Sequence, residues 1–150
     1  MTTALSCPTC SPPALGEFRP GAPDRRPQVA TPEDAAALVT PILRGRDREH
    51  CLLVSLDVKH RLLDVATISV GTADHTFMAP REIFRSALLT GASAVFVAHN
   101  HPSGDPTPSS DDRRVTRRLA EAGRLLGVEL LDHLVVGDPQ WVSLARLGAV

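Results

Sequence analysis

The chain has 150 residues, a formal net charge of −1 and 43% hydrophobic residues, with one Trp, four Phe and no Tyr. That is one domain's length with apolar content for one core. A near-neutral chain poor in aromatic rings argues against a nucleic-acid partner, and no apolar run is long enough to span a bilayer.

Residues 1–30 hold six of the thirteen prolines and little apolar periodicity. They are expected to form a disordered Pro-rich segment, with the folded domain over residues 31–150. No basic-then-apolar signal layout opens the chain, and three cysteines make no disulfide framework, so a cytoplasmic protein is expected. Cys7 and Cys10 have half of a zinc-ribbon spacing, but a structural zinc site takes four ligands and no second such pair exists. They read as ordinary tail cysteines.

Order is expected to begin at Thr31-Pro32-Glu33-Asp34. Thr suits the N-cap, Pro the first helical position, and the two acids complement the helix dipole. The helix is expected to reach about Gly45 with Ala35, Leu38, Val39 and Ile42 facing inward. Cys51 to Leu56 and Leu62 to Val70 read as strands joined by a short loop that lacks an Asn-Gly or Asp-Gly turn signature. Cys51 is expected to be a small core residue. A second helix is expected from Pro80 to the C′ residue Gly91. Ala94 to Ala98 reads as a buried strand. Ser109-x-x-Asp112 resembles a capping box opening a third helix that runs to about Leu126. Val128 to Val136 and Val142 to Leu144 are the remaining strands. The order α, β, β, α, β, α, β, β predicts an α/β sandwich with a mixed sheet.

The chemistry concentrates where the third strand meets the third helix. His99 and His101, two apart at a strand end, point the same way. A Pro/Gly-rich turn then leads to Ser109, Asp111 and Asp112. Two imidazoles and a carboxylate suit a divalent metal, and a catalytic zinc takes three protein ligands. A helical wheel places Asp111 and Asp112 about equally near the apolar face of Val115, Leu119, Ala122 and Leu126, so periodicity leaves the third ligand open. Glu49, Glu82, Asp105 and Asp111 are the candidate bases, and spacing does not choose among them.

His-x-His, seven residues, Ser, two residues, Asp resembles the JAMM motif of JAB/MPN-domain metallopeptidases. His99-Asn100-His101-Pro102-Ser103-Gly104-Asp105-Pro106, Thr116-Arg117-Arg118-Leu119-Ala120-Glu121-Ala122-Gly123 and Leu131-Asp132-His133-Leu134-Val135-Val136-Gly137 are similar to the RadC branch of that group. The resemblance covers roughly residues 31–150. It implies a JAB/MPN (cytidine deaminase-like) sandwich, with one Zn²⁺ per chain on His99, His101 and Asp112. It also implies Glu49 as catalytic acid/base and Ser109 as a support for the oxyanion. The implied activity is hydrolysis of an amide bond in a peptide or isopeptide-linked protein substrate.

The RadC name is attached to DNA repair, so a DNA-associated accessory role is the alternative. The helix-hairpin-helix segment usual in such proteins is not expected from residues 1–30. A binding scaffold without turnover is a third reading, which intact ligands disfavour. Glu82 reads as a first-turn helix acid. Asp132 and His133 read as satisfied core residues, with support of a metal ligand as the alternative. Arg113, Arg114, Arg117, Arg118 and Arg124 read as a solvated face, and His50, His60 and His75 carry no motif.

Overall fold

The computed structural model describes residues 25–150, and the expectations for residues 1–24, including Cys7 and Cys10, lie outside them. Ahead of the first helix, Val29 is buried and its N–H donates to the His60 carbonyl at 2.8 Å, while the Pro27 carbonyl accepts from Leu62 N–H at 2.9 Å. Residues 27–29 are therefore packed on the domain ahead of Thr31.

Helix α1 spans Pro32–Leu43. Thr31 closes a capping box with Asp34, whose carboxylate accepts the Thr31 N–H at 3.0 Å. The helix ends two residues short of Gly45, where the C-cap Arg44 leaves helical geometry at ψ 139° with its N–H still on Thr40 O. Ala35, Ala36, Val39 and Leu43 are buried. Ile42, expected inside, is 38% exposed. The stripe at 35, 39 and 43 repeats every four residues, and that spacing turns Leu43 inward and Ile42 outward.

Strands β1 (His50–Leu56) and β2 (Leu62–Val70) form an antiparallel hairpin. Asp57 supplies what an Asn-Gly turn would have supplied. Its carboxylate accepts the N–H groups of Lys59 at 2.8 Å and Arg61 at 3.0 Å, and the chain turns through His60 at φ 55°. Helix α2 (Pro80–Leu89) ends before Gly91, whose φ of 69° is the left-handed conformation expected at C′. Strand β3 (Ala94–Asn100) is buried at all seven positions. Helix α3 (Ser110–Leu126) follows, then β4 (Glu129–Val136) and β5 (Trp141–Ser143).

The sheet order is β2-β1-β3-β4-β5, with β3 and β4 parallel and the other pairs antiparallel. Alternation along the central strands divides the core into two layers. Leu52, Val54, Leu56, Phe96 and Ala98 pack against α1 on one face. Leu53, Val95 and Val97 pack with Ile83 and Phe84 of α2 and Leu119 of α3 on the other. Cys51 belongs to this second layer, where burial pushes its thiol up to about 12. The result is the expected α/β sandwich on a mixed sheet. It exposes the C-terminal end of β3, where a buried central strand gives way to the connection into α3. Among the described residues no helix is long and apolar enough to cross a membrane.

Candidate metal centre

The alternation that buries Val95 and Val97 carries on to His99, which is fully buried on the α2/α3 side of β3. His101 follows at the first loop position. Gly104 turns the loop back at φ 86°, and its carbonyl accepts the Asp138 N–H at 3.0 Å. Gly137 makes this seat: a Cβ there would lie 2.3 Å from the Gly104 oxygen and 2.8 Å from the Pro106 ring. The returning loop brings the Asp105 carbonyl to 2.8 Å from His101 Nδ1. A carbonyl only accepts, so Nδ1 carries the proton and Nε2 is left to face the site.

Asp112 arrives from the first turn of α3. The Ser109 hydroxyl accepts the Asp112 N–H at 3.0 Å, and the Asp112 carboxylate accepts the Ser109 N–H at 2.8 Å and its O–H at 2.7 Å. One capping box thus starts the helix and fixes the carboxylate. Packing separates the two neighbouring acids. The buried stripe of α3 is Asp112, Thr116, Leu119, Ala120 and Gly123, whereas Asp111 is exposed and pairs with Arg114 at 2.9 Å. Leu126, expected on the apolar face, is 47% exposed. The face is rotated toward small and polar residues, because Gly123 lets the helix close on Phe84 and the Val128 carbonyl.

The three side chains converge. Asp112 Oδ1 lies 3.2 Å from His99 Nε2, Asp112 Oδ2 lies 3.6 Å from His101 Nε2, and the two Nε2 atoms are 3.1 Å apart. One ligand atom from each falls within 4.8 Å of the others, so the group could hold a metal ion. Burial opposes ionisation of Asp112, but the neighbouring His101 and His99 imidazoles and the Ser109 hydroxyl outweigh it. They hold its carboxyl well below the usual carboxylate range. Two nitrogens and an ionised carboxylate make a donor set that suits a divalent cation of borderline softness.

Glu49 stands immediately before β1, 7% exposed, in a cleft of about 620 Å³ that it lines together with His101, Ser109 and Asp112. Its backbone is pinned to the end of β2: Glu49 N–H donates to Thr72 O at 2.7 Å and Gly71 N–H to Glu49 O at 2.8 Å. Burial raises its pKa above the usual carboxylate value, against the opposing fields of His99 and His101. Glu82, by contrast, is an exposed first-turn acid of α2 beside Arg81. The Asp105 carboxylate is spent on Thr107, accepting its N–H at 2.9 Å and its hydroxyl at 2.7 Å.

Two polar residues gain roles that sequence reasoning missed or set second. Asn100, the middle residue of His-Asn-His, brackets Glu49: its Oδ1 accepts the His50 N–H at 2.7 Å and its Nδ2 donates to Arg48 O at 3.0 Å. Asn100→Ala is expected to leave metal content unchanged and to cost about 1 kcal/mol, because two part-buried backbone groups lose their partner. Urea unfolding and elemental analysis read the two outcomes. His133 is the buried, satisfied histidine expected and also contacts a candidate ligand, its Nε2 lying 2.8 Å from His99 Nδ1. Asp132 is structural, joining β4 to the C-terminal turn through the Ser143 hydroxyl and Ala145 N–H. The exposed Arg114 and Arg118 line the same cleft as His75 and Phe77.

Comparison with known proteins agrees with this frame. The family described as RadC-like JAB domain matches residues 29–149. The UPF0758 protein of Desulfitobacterium hafniense is 46% identical over 123 residues, 82% of this chain and 54% of the relative. The UPF0758 proteins of Shouchella clausii and Methanosarcina acetivorans are 44% and 42% identical over the same length, with the same shares. The chain thus spans about half the length of the curated relatives it matches. With the family match running nearly the whole described length, and the His-x-His loop, capped helix and mixed sheet in place, the chain belongs to the RadC-like JAB domain family.

Proposed function

We propose that the protein is a zinc-dependent metallohydrolase of JAMM type, with Zn²⁺ held by His99, His101 and Asp112 and an amide bond as its target. The observation that carries this reading is the convergence of two imidazole nitrogens and an ionised carboxylate beside a buried glutamate in one cleft. Zinc held by His99, His101 and Asp112 would act as a Lewis acid that makes water nucleophilic near neutrality. The residues of the chain do the rest. Glu49 takes a proton from the attacking water and returns it to the leaving amine nitrogen, and its raised pKa suits a group that must hold that proton between the two steps. Ser109 supports the developing oxyanion; its hydroxyl donates to Asp112 Oδ2 here and has to turn from there to substrate. The partner in this reading is a peptide or isopeptide-linked protein, since the net charge of −1 gives no electrostatic attraction for nucleic acid.

The test is cleavage of a peptide library by the zinc-loaded protein, with and without chelator. Cleavage that stops with chelator and returns with zinc is the expected result. A zinc-loaded protein that cleaves no peptide or isopeptide bond would count against it.

A further inference from the structure

His133 and Thr116 lie beneath the candidate centre, both fully buried, one on β4 and the other on α3. They continue a chain of short contacts away from His99. The His99 Nδ1 to His133 Nε2 distance is 2.8 Å, His133 Nδ1 to Thr116 Oγ1 is 2.6 Å, and Thr116 Oγ1 to the Asp112 carbonyl oxygen is 2.6 Å. We propose that Thr116 and His133 are positioning residues that dictate the tautomer of His99, directing its Nε2 lone pair into the metal site. The inference rests on the metal-centre reading above.

The direction of the chain follows from counting protons. A carbonyl oxygen cannot donate, so the Thr116 hydroxyl proton lies toward Asp112 O. Thr116 has no second proton, so the contact with His133 is made by the His133 Nδ1–H. The fully buried His133 ring has its two nitrogens against His99 and Thr116, with no carboxylate on either, so it holds one proton, and that proton is then used. His133 Nε2 must accept, and His99 Nδ1–H donates to it. His99 cannot take the opposite tautomer without leaving two bare nitrogens 2.8 Å apart in the core. Because Asp112 supplies both a candidate ligand oxygen and the carbonyl on which the chain ends, one turn of α3 fixes two of the three ligands. Partners that orient a ligating histidine typically contribute 10–100-fold in metal affinity.

The experiment compares zinc affinity, by competition with a chromophoric chelator, for wild type, Thr116→Val and Thr116→Ser, with thermal melts as a check on folding. Thr116→Val keeps the shape and loses the hydroxyl, which frees His133 to carry its proton on Nε2 and force it off His99 Nδ1. About 10–100-fold weaker zinc binding is expected, whereas Thr116→Ser should bind within a few-fold of wild type. Packing alone would reverse that order, because Val fills the space and Ser does not. Long-range ¹H–¹⁵N spectra of the imidazoles in metal-free wild type give a second readout that needs neither zinc nor catalysis. They should show a proton on Nδ1 of both His99 and His133 and a bare Nε2 on His133. A proton on His133 Nε2, or Thr116→Val binding zinc as tightly as wild type, would overturn the proposal. A protein that binds zinc in this order but cleaves nothing would contradict the hydrolase reading alone.

Discussion

Glu49→Gln is expected to keep its metal and lose hydrolysis by roughly 10²–10⁴-fold, the usual contribution of a positioned acid–base group. Glu49 is not among the three converging side chains, yet it is buried in the cleft they share. The amide of Gln fills the same space and accepts no proton. Burial already disfavours the carboxylate charge at this position, so the neutral substitution should be neutral or mildly stabilising to the fold. Glu82→Gln is the control: that side chain is exposed at the start of α2, and its loss should change the rate little. The check is zinc content and turnover of the three proteins on one substrate. A fully active Glu49→Gln beside a dead Glu82→Gln would move the base elsewhere.

Asp112→Asn should do the opposite and release the metal. Apparent zinc affinities of about 10–16 kcal/mol for four-ligand sites correspond to about 3 kcal/mol per ligand, so removal of one charged ligand should weaken binding on the order of 10²-fold. The fold is also affected. Asp112 Oδ2 accepts from both the N–H and the hydroxyl of Ser109, and an amide that rotates its NH₂ toward them breaks the capping box. Loss of a cap typically costs about 0.5–2 kcal/mol. Calorimetric zinc titration together with thermal unfolding separates the two effects. An Asp112→Asn protein with wild-type zinc affinity would remove Asp112 from the ligand set.

The elements were legible because each carries a local signal that agrees with its packing. Thr31 and Ser109 are N-caps by chemistry as well as position, and Gly91 stands where a left-handed residue is needed. Alternation places His99 and His101 on one side of the chain. The errors share one cause, since burial of a helix face depends on what faces it. The inward stripe of α1 is 35, 39 and 43, so Leu43 replaces Ile42. On α3 the buried stripe includes Thr116 and Gly123, residues that an apolar wheel discounts, and this hid the preference for Asp112 over Asp111.

The partners of the site were harder still. Asn100 reaches across to the backbone on either side of Glu49, and His133 reaches across to His99 from a parallel strand. Such contacts join residues 34 to 52 positions apart, and no spacing rule in one sequence reports them. A polar residue in a strand as apolar as β4 was the one available signal. It pointed to a need for partners without saying which they were.

The central claim is that His99, His101 and Asp112 form a metal centre, and zinc content tests it most directly. Elemental analysis of protein purified without added metal should give about one zinc per chain. His101→Ala, which removes the nitrogen oriented by the Asp105 carbonyl, should lose most of it while remaining folded. Wild-type protein that stays free of zinc after incubation with the ion, or His101→Ala that retains a full equivalent, would contradict the account.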